Sequence, residues 1–289
     1  MMNTFPIQYQ SLPKSFILLV LLFFMPASAS SSTGEVNQPH SDCSPLLFQC
    51  GKVQHNISYP FWTKGYPEHC SYEIFFEIKC NPEDNSSEIV IQSHKYHVKE
   101  INYENQIVTI VDEDYFDHGR DNSCLRPSRN TTFDSKLLDY YFRRDRIEGD
   151  GMLLFLYNCS HNPSEDHLNP FIKSLKCLSV SHQSSSPTFY ASKWFIEEEG
   201  LMGWGGCQVI EIPILQRNMH RLLFNPDAWT DVLREGFEVK WSAIDPDHRC
   251  WNCVRSNGHC GYNADSPTSP TCYCKGKPHL YTCPSGPTY

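Results

Sequence analysis

Fourteen cysteines in a chain of 289 residues constrain the fold before any other feature does. Four of them, Cys43, Cys50, Cys70 and Cys80, fall in the stretch CSPLLFQCGKVQHNISYPFWTKGYPEHCSYEIFFEIKC. It also carries a sequon at Asn56 and an aromatic run of Tyr59, Phe61, Trp62 and Tyr66. A segment this short, and punctuated by proline, cannot rest on one large apolar core. It reads as a disulfide-stapled module of an oxidising compartment. In the cytosol the same cysteine number would call for metal or redox chemistry, and the glycosylation acceptors described below argue against that setting.

The N-terminus fits this compartment. Lys14 precedes an apolar run over residues 16–25, and Ala27-Ser28-Ala29 supplies small residues at cleavage-type positions. This is the pattern of a secretory signal peptide over 1–29. The run is about half the length needed to span a bilayer. No later segment is apolar enough to span, so the mature chain is expected to be soluble and secreted. The formal net charge of −9 excludes the basic face that nucleic-acid binding requires.

After a polar leader over 30–42, alternating apolar residues mark short strands. Ile89 and Ile91, then Tyr96 and Val98, read as a hairpin over 88–98, and residues 107–111 continue the β pattern. The apolar run 151–157 reads as a buried strand ending at Cys159. These features, with Cys124, define a first module over 43–160 containing six cysteines, which permit fifteen pairings. A polar linker is expected over 161–170. A second module over 171–285 carries Cys177 and Cys207, then a knot over 250–283 formed by Cys250, Cys253, Cys260, Cys272, Cys274 and Cys283. The strand expected over 209–215 contains Pro213, which suits a sheet edge. One helix is signalled near 226–235. Asn225 is its expected cap, Pro226 takes the first helical position, and Gly236 follows the end. Trp229, Val232 and Leu233 share its core face. The fold class is therefore mainly β: two or three small disulfide-rich modules, the last a cysteine-rich knot.

Several motifs give this pattern a family. Cys43-x6-Cys50-Gly51, Ile57-x-Tyr59-Pro60-Phe61, Cys70, and Phe76-x-Ile78-x-Cys80 resemble the galacturonan-binding module of plant wall-associated receptor kinases. Ser71 stands where that family usually carries glycine. The segments Gly236-Phe237-x-Val239-x-Trp241, Cys250-x2-Cys253 and Ser256-Asn257-Gly258-His259-Cys260-Gly261 resemble the family's C-terminal module. The nearer subgroup is the leaf-rust-resistance-locus type of receptor-like kinase. The resemblance implies an extracellular or cell-wall glycoprotein that binds pectin or oligogalacturonides. In such relatives a membrane helix and a serine/threonine kinase follow the ectodomain. This sequence carries no Gly-rich phosphate loop, catalytic-loop or D-F-G pattern. The expectation is an ectodomain-only relative or a truncated receptor. An EGF-type reading of the C-x-C-x8-C ending implies the pairs Cys250–Cys260, Cys253–Cys272 and Cys274–Cys283.

The chemistry expected is recognition, not catalysis. Acidic runs such as 112–114 and 197–199 do not set two carboxylates across a cleft, as a glycosidase requires. No G-x-S-x-G or H-E-x-x-H pattern occurs. No metal site or cofactor is implied, although calcium bridging through acidic residues is a further route to a polyuronate. Asn56, Asn85, Asn130 and Asn158 are N-x-S/T glycosylation acceptors. A uronate ligand needs Lys or Arg donors beside aromatic platforms. Residues 40–180 hold 14 Lys and Arg against 21 Asp and Glu, so only a local patch can serve. The candidates are Lys52, Trp62, Lys64 and Tyr66, with the basic cluster Arg143, Arg144 and Arg146. Their alternatives are core packing for the aromatic run and a solvated face for the arginines. A different class of reading is a truncated receptor-kinase ectodomain whose partner is a protein or peptide, such as another receptor ectodomain, in signalling or defence.

Overall fold

The structure, a computed structural model, describes residues 38–72, 76–116, 126–141, 150–160, 172–175, 188–198, 206–263 and 266–284. The expected signal peptide, the linker at 161–170, Cys124, Cys177, Arg143, Arg144 and Arg146 lie outside the described residues.

The chain is mainly β, as its sequence suggests. Helix α1 (Gln38–Asp42) leads to the hairpin β1 (Leu46–Cys50) and β2 (Val53–Ile57). A meander follows: β3 (Ile78–Asn81), β4 (Ser86–Ile91), β5 (His94–Asn102) and β6 (Ile107–Asp112). Next come β7 (Asp139–Tyr140), β8 (Asp150–Tyr157), β9 (Lys173–Ser174) and β10 (Phe189–Ser192). Then α2 (Lys193–Glu198), β11 (Gln208–Leu215), α3 (Gln216–Phe224), α4 (Trp229–Glu235) and β12 (Phe237–Lys240) follow. The last part is α5 (Arg249–Arg255), β13 (His259–Asn263), β14 (Ser266–Tyr273) and β15 (Pro278–His279).

The largest sheet has six strands in the order β3-β4-β5-β6-β12-β7. Ile89 pairs with Tyr96, Val98 with Ile110, and Ile110 with Phe237, so apolar side chains meet across each of these strand pairs. The β4–β5 hairpin is closed by Gln92 and Ser93, both at positive φ, the geometry of a primed turn reached without glycine. A bulge between Val98 and Glu100 breaks the in–out alternation of β5, and Tyr96, His97 and Val98 are all buried. Phe61, Phe76, Ile78 and Trp241 complete the core beneath this sheet.

A second sheet runs β11-β8-β10-β9. Strand β8 is central, which explains its unbroken apolar sequence. Leu153 and Phe155 face one core with Trp229, Val232 and Leu233, while Leu154 and Leu156 face another with Phe189 and Ala191. Strand β11, with Pro213, lies at the edge as its proline suggests.

Strand pairing crosses the boundary expected at 161–170. β8 pairs with β10 and β11, Cys159 bonds Cys207, and β12 joins the first sheet beside β6. The two modules read from the sequence therefore share their sheets. Gly236 makes the junction between α4 and β12. Its φ is +80°, and a Cβ there would collide with the Ile110 carbonyl oxygen.

The helix expected near 226–235 forms with a different entry. A 3₁₀ turn (Pro226–Ala228) precedes α4, and the Asn225 side chain makes no capping bond. The Asn225 backbone N–H instead donates to the Arg221 carbonyl at 2.8 Å and closes α3. The knot pairs as Cys250–Cys260, Cys253–Cys272 and Cys274–Cys283, the pattern implied by the EGF-type ending. Two further bonds, Cys43–Cys70 and Cys50–Cys80, staple the first segment. Gly258 approaches the sulfurs closely: a Cβ would stand 2.6–2.7 Å from Sγ of Cys272, Cys253 and Cys283.

Candidate functional site

The first segment and the knot meet around Tyr59. Its ring packs on Cys250 and Cys260, and its hydroxyl lies 3.1 Å from that of Tyr262. Beside this contact opens a cleft of about 660 Å³, within the usual range for small-ligand pockets. Buried Tyr59 and Trp241 line its depth. Trp241 is fixed edge-on, its ring 4.9 Å from Phe61 and 5.8 Å from Tyr103.

Three elements build the walls. Strand β2 and the residues after it present Asn56 and Ser58. The β5–β6 turn presents Tyr103, Glu104 and Gln106. Helix α5 presents Trp251, Val254 and Arg255, which share one face at i, i+3 and i+4 spacing. Two ties hold the walls at fixed separation. The Tyr103 hydroxyl accepts from the Ser58 N–H at 2.9 Å and donates to the Asn56 carbonyl at 2.8 Å. The Trp251 indole N–H donates to the Glu104 carbonyl at 3.4 Å. His248, just before helix α5, is in the left-handed region and makes no side-chain cap; Asp245 supplies it. Its buried carboxylate accepts from the N–H groups of Cys250 at 3.2 Å and Trp251 at 3.0 Å.

The chemistry of the cleft follows from these groups. Burial pushes the Tyr59 and Tyr103 phenols above their ordinary value, so both stay protonated. Tyr103 and Trp251 are half-buried, and the exposed Arg255 guanidinium lies 4.4 Å from the Trp251 ring centre. Among the described residues, Glu104 is the one carboxylate lining the cleft and Arg255 the one cation. Hydrolysis of a glycosidic bond takes two carboxylates facing each other. Aromatic faces beside one guanidinium suit the holding of a ring that carries an anion.

The residues expected from the sequence fall elsewhere. Lys52 is exposed in the β1–β2 turn, where neighbouring Gly51 backs against Asn85. Lys64 is exposed in the turn that leads to Tyr66. Trp62 is half-buried against two apolar clusters, and its backbone bonds to Phe76 and Ile78. Tyr66 packs in the interior. It is 8% exposed beside the Cys43–Cys70 bond, and its hydroxyl donates to the Cys43 carbonyl at 3.1 Å. Burial pushes its phenol up to about 12. Asn56, Asn85, Asn130 and Asn158 are all exposed. The sequence marked Trp241 as a motif position but not the cleft around it. The usable signal was Trp251-x3-Arg255, which becomes a shared face once residues 249–255 are known to be helical.

A mainly β architecture stapled by disulfides, with an aromatic-lined cleft, is the build of a receptor-type ectodomain. Residues 43–112 match the wall-associated receptor kinase galacturonan-binding family, and residues 176–277 match the wall-associated receptor kinase C-terminal family. The chain thus carries both modules of the wall-associated receptor kinase ectodomain. The Arabidopsis thaliana protein named leaf rust 10 disease-resistance locus receptor-like protein kinase-like 2.1 is 30% identical over 95% of this chain and 40% of its own length. The like-named 1.2 protein is 25% identical over 93% of this chain and 38% of its own. The chain thus spans about two fifths of these relatives, and the parts matched by the families are ectodomain modules. No solved structure matches it. Among the described residues no helix is long and apolar enough to cross a membrane.

Proposed function

We propose that the chain is a secreted, non-catalytic recognition ectodomain of the plant cell wall. Its cleft binds an acidic wall saccharide, an oligogalacturonide of pectin. The observation that carries this reading is Arg255 set over Trp251 in a cleft that Tyr103 also lines. The guanidinium pairs with a uronate carboxylate, and the aromatic faces take the sugar ring. The name of the matched galacturonan-binding family supports the ligand class. Calcium enters through Glu104, whose carboxylate would share the cation with the uronate.

The test is titration of the secreted, disulfide-bonded protein with homogalacturonan oligomers, with and without calcium, across a salt series. Saturable binding weakened about tenfold by Trp251→Ala or Arg255→Ala is expected. Lys64→Ala and Trp62→Ala should leave it unchanged. No binding by a correctly bonded sample would remove the carbohydrate reading.

One observation favours a protein partner as a second reading. Phe224 is 89% exposed and Leu223 49% exposed at the end of α3. That surface suits contact with another receptor ectodomain in signalling or defence. Phe224→Asp would abolish such a contact and spare saccharide binding.

A further inference from the structure

Asn56 is at once a glycosylation acceptor and a wall of the cleft. In β2 the buried side chains are His55 and Ile57, so Asn56 points outward between them. Tyr103 fixes this stretch of backbone by donating to the Asn56 carbonyl and accepting from Ser58. Leu47, the cross-strand partner of Asn56, is 60% exposed, and Val254 on the α5 wall is 51% exposed. The bare chain thus leaves apolar and aromatic surface uncovered on both sides of one acceptor amide. A sugar chain rooted there reaches these faces without any diffusion step, which gives it a high effective concentration.

We propose that an N-linked glycan on Asn56 occupies the cleft as a built-in cap, with its first sugars against Tyr103 and Trp251. The cap limits which outside saccharide can enter. In the modification, Asn56 Nδ2 forms a bond to the anomeric carbon of a lipid-pyrophosphate-linked oligosaccharide. The bond from that carbon to the pyrophosphate oxygen breaks, the amide loses one proton, and the lipid pyrophosphate leaves. The cap's effect on affinity rests on the cleft being a saccharide site; its contact with the aromatic side chains does not.

The test uses the full chain secreted from a glycosylating plant cell line. Site occupancy is read by mass spectrometry, and side-chain accessibility by hydroxyl-radical footprinting. Asn56→Gln and Ser58→Ala each remove the acceptor by a different residue, and Asn85→Gln is the control. Occupied Asn56 is expected, with oxidation of Trp251 and Tyr103 rising severalfold in both acceptor variants and not in the control. Homogalacturonan oligomers should bind the Asn56→Gln protein about tenfold more tightly. An unmodified Asn56 in a protein glycosylated at Asn85, or footprints that do not move, overturns the cap. If the footprints rise but neither form binds the oligomers, the cap stands and the pectin reading fails. If the oligomers bind both forms equally and footprints are constant, the pectin reading stands and the cap fails.

Discussion

The six-stranded sheet and the C-terminal knot bury very different atoms. Beneath the sheet lie Phe61, Phe76, Ile78, Ile110 and Phe237, each no more than 2% exposed. Within the knot, the buried cluster is Cys253, Cys272 and Cys274, with Cys283 packed against it. Residues 249–284 are too few to enclose an aliphatic core, and a segment of that size relies on cross-links instead. The sheet is held by area removed from water. The knot is held by bonds that restrict its unfolded state. The cleft takes Trp241 and Tyr103 from the first kind of structure and Trp251 and Arg255 from the second. Its geometry therefore depends on two unlike sources of stability.

Experiments can break this contrast, beginning with the largest effect. Trp241→Ala removes a ring packed on Phe61 and Tyr103 and should cost about 3–5 kcal/mol, read by urea unfolding. A loss well below 1 kcal/mol would mean that the sheet does not depend on this core. Replacing Cys253 and Cys272 together by serine should cost about 2–5 kcal/mol and open residues 249–284 to proteolysis. Survival of the six-stranded sheet in that variant would confirm two separable supports. Loss of the whole fold in one transition would refute them. Gly236→Ala tests the seam and should cost about 1–3 kcal/mol, because of its positive φ and the collision with Ile110.

The smallest effect is a response to pH, with one contributor in the β1–β2 hairpin beside the sheet's core and one in the knot. Burial lowers His55, which stacks on Phe48 and whose Nε2 has no hydrogen-bond partner among the described residues. His259 in the knot is lowered by burial and then by His40, 4.5 Å away ring to ring. Both fall below the ordinary histidine value of 6.5. Their contribution is fully present above about pH 6.5 and is lost as pH falls through the folded-state values, because the unfolded chain takes up protons first. Melting temperature should drop on acidification. The drop should shrink in part with His55→Phe and in part with His259→Gln. Equal pH dependence in all three proteins would show that neither ring carries it.

Much of the fold was legible because its signals are local. The alternation at Ile89, Ile91, Tyr96 and Val98 gave a hairpin, and Pro213 marked an edge. The knot's pairing followed from family spacing. Helix α3 was not legible, since it follows β11 directly and Leu215 offers no side-chain cap. Helix α5 hid for a related reason. Its cap comes from Asp245, outside the first turn, and its cysteines were read only as a knot. The cleft was invisible because Asn56 and Trp251 meet only in the tertiary fold. Tyr66 shows the converse: an aromatic residue beside a lysine looks available in sequence, and only the fold shows its hydroxyl turned onto the Cys43 carbonyl.

The place of β12 has a consequence for biosynthesis. A ribosome delivers β3 to β6 early, yet Ile110 must wait for Phe237, and Leu153 for Ile212. Until then the emerging chain presents β6 as an unpaired, apolar edge, the kind of surface that chaperones shield. Nascent chains halted before β12 should be held by such helpers, and those extended past Trp241 should let them go.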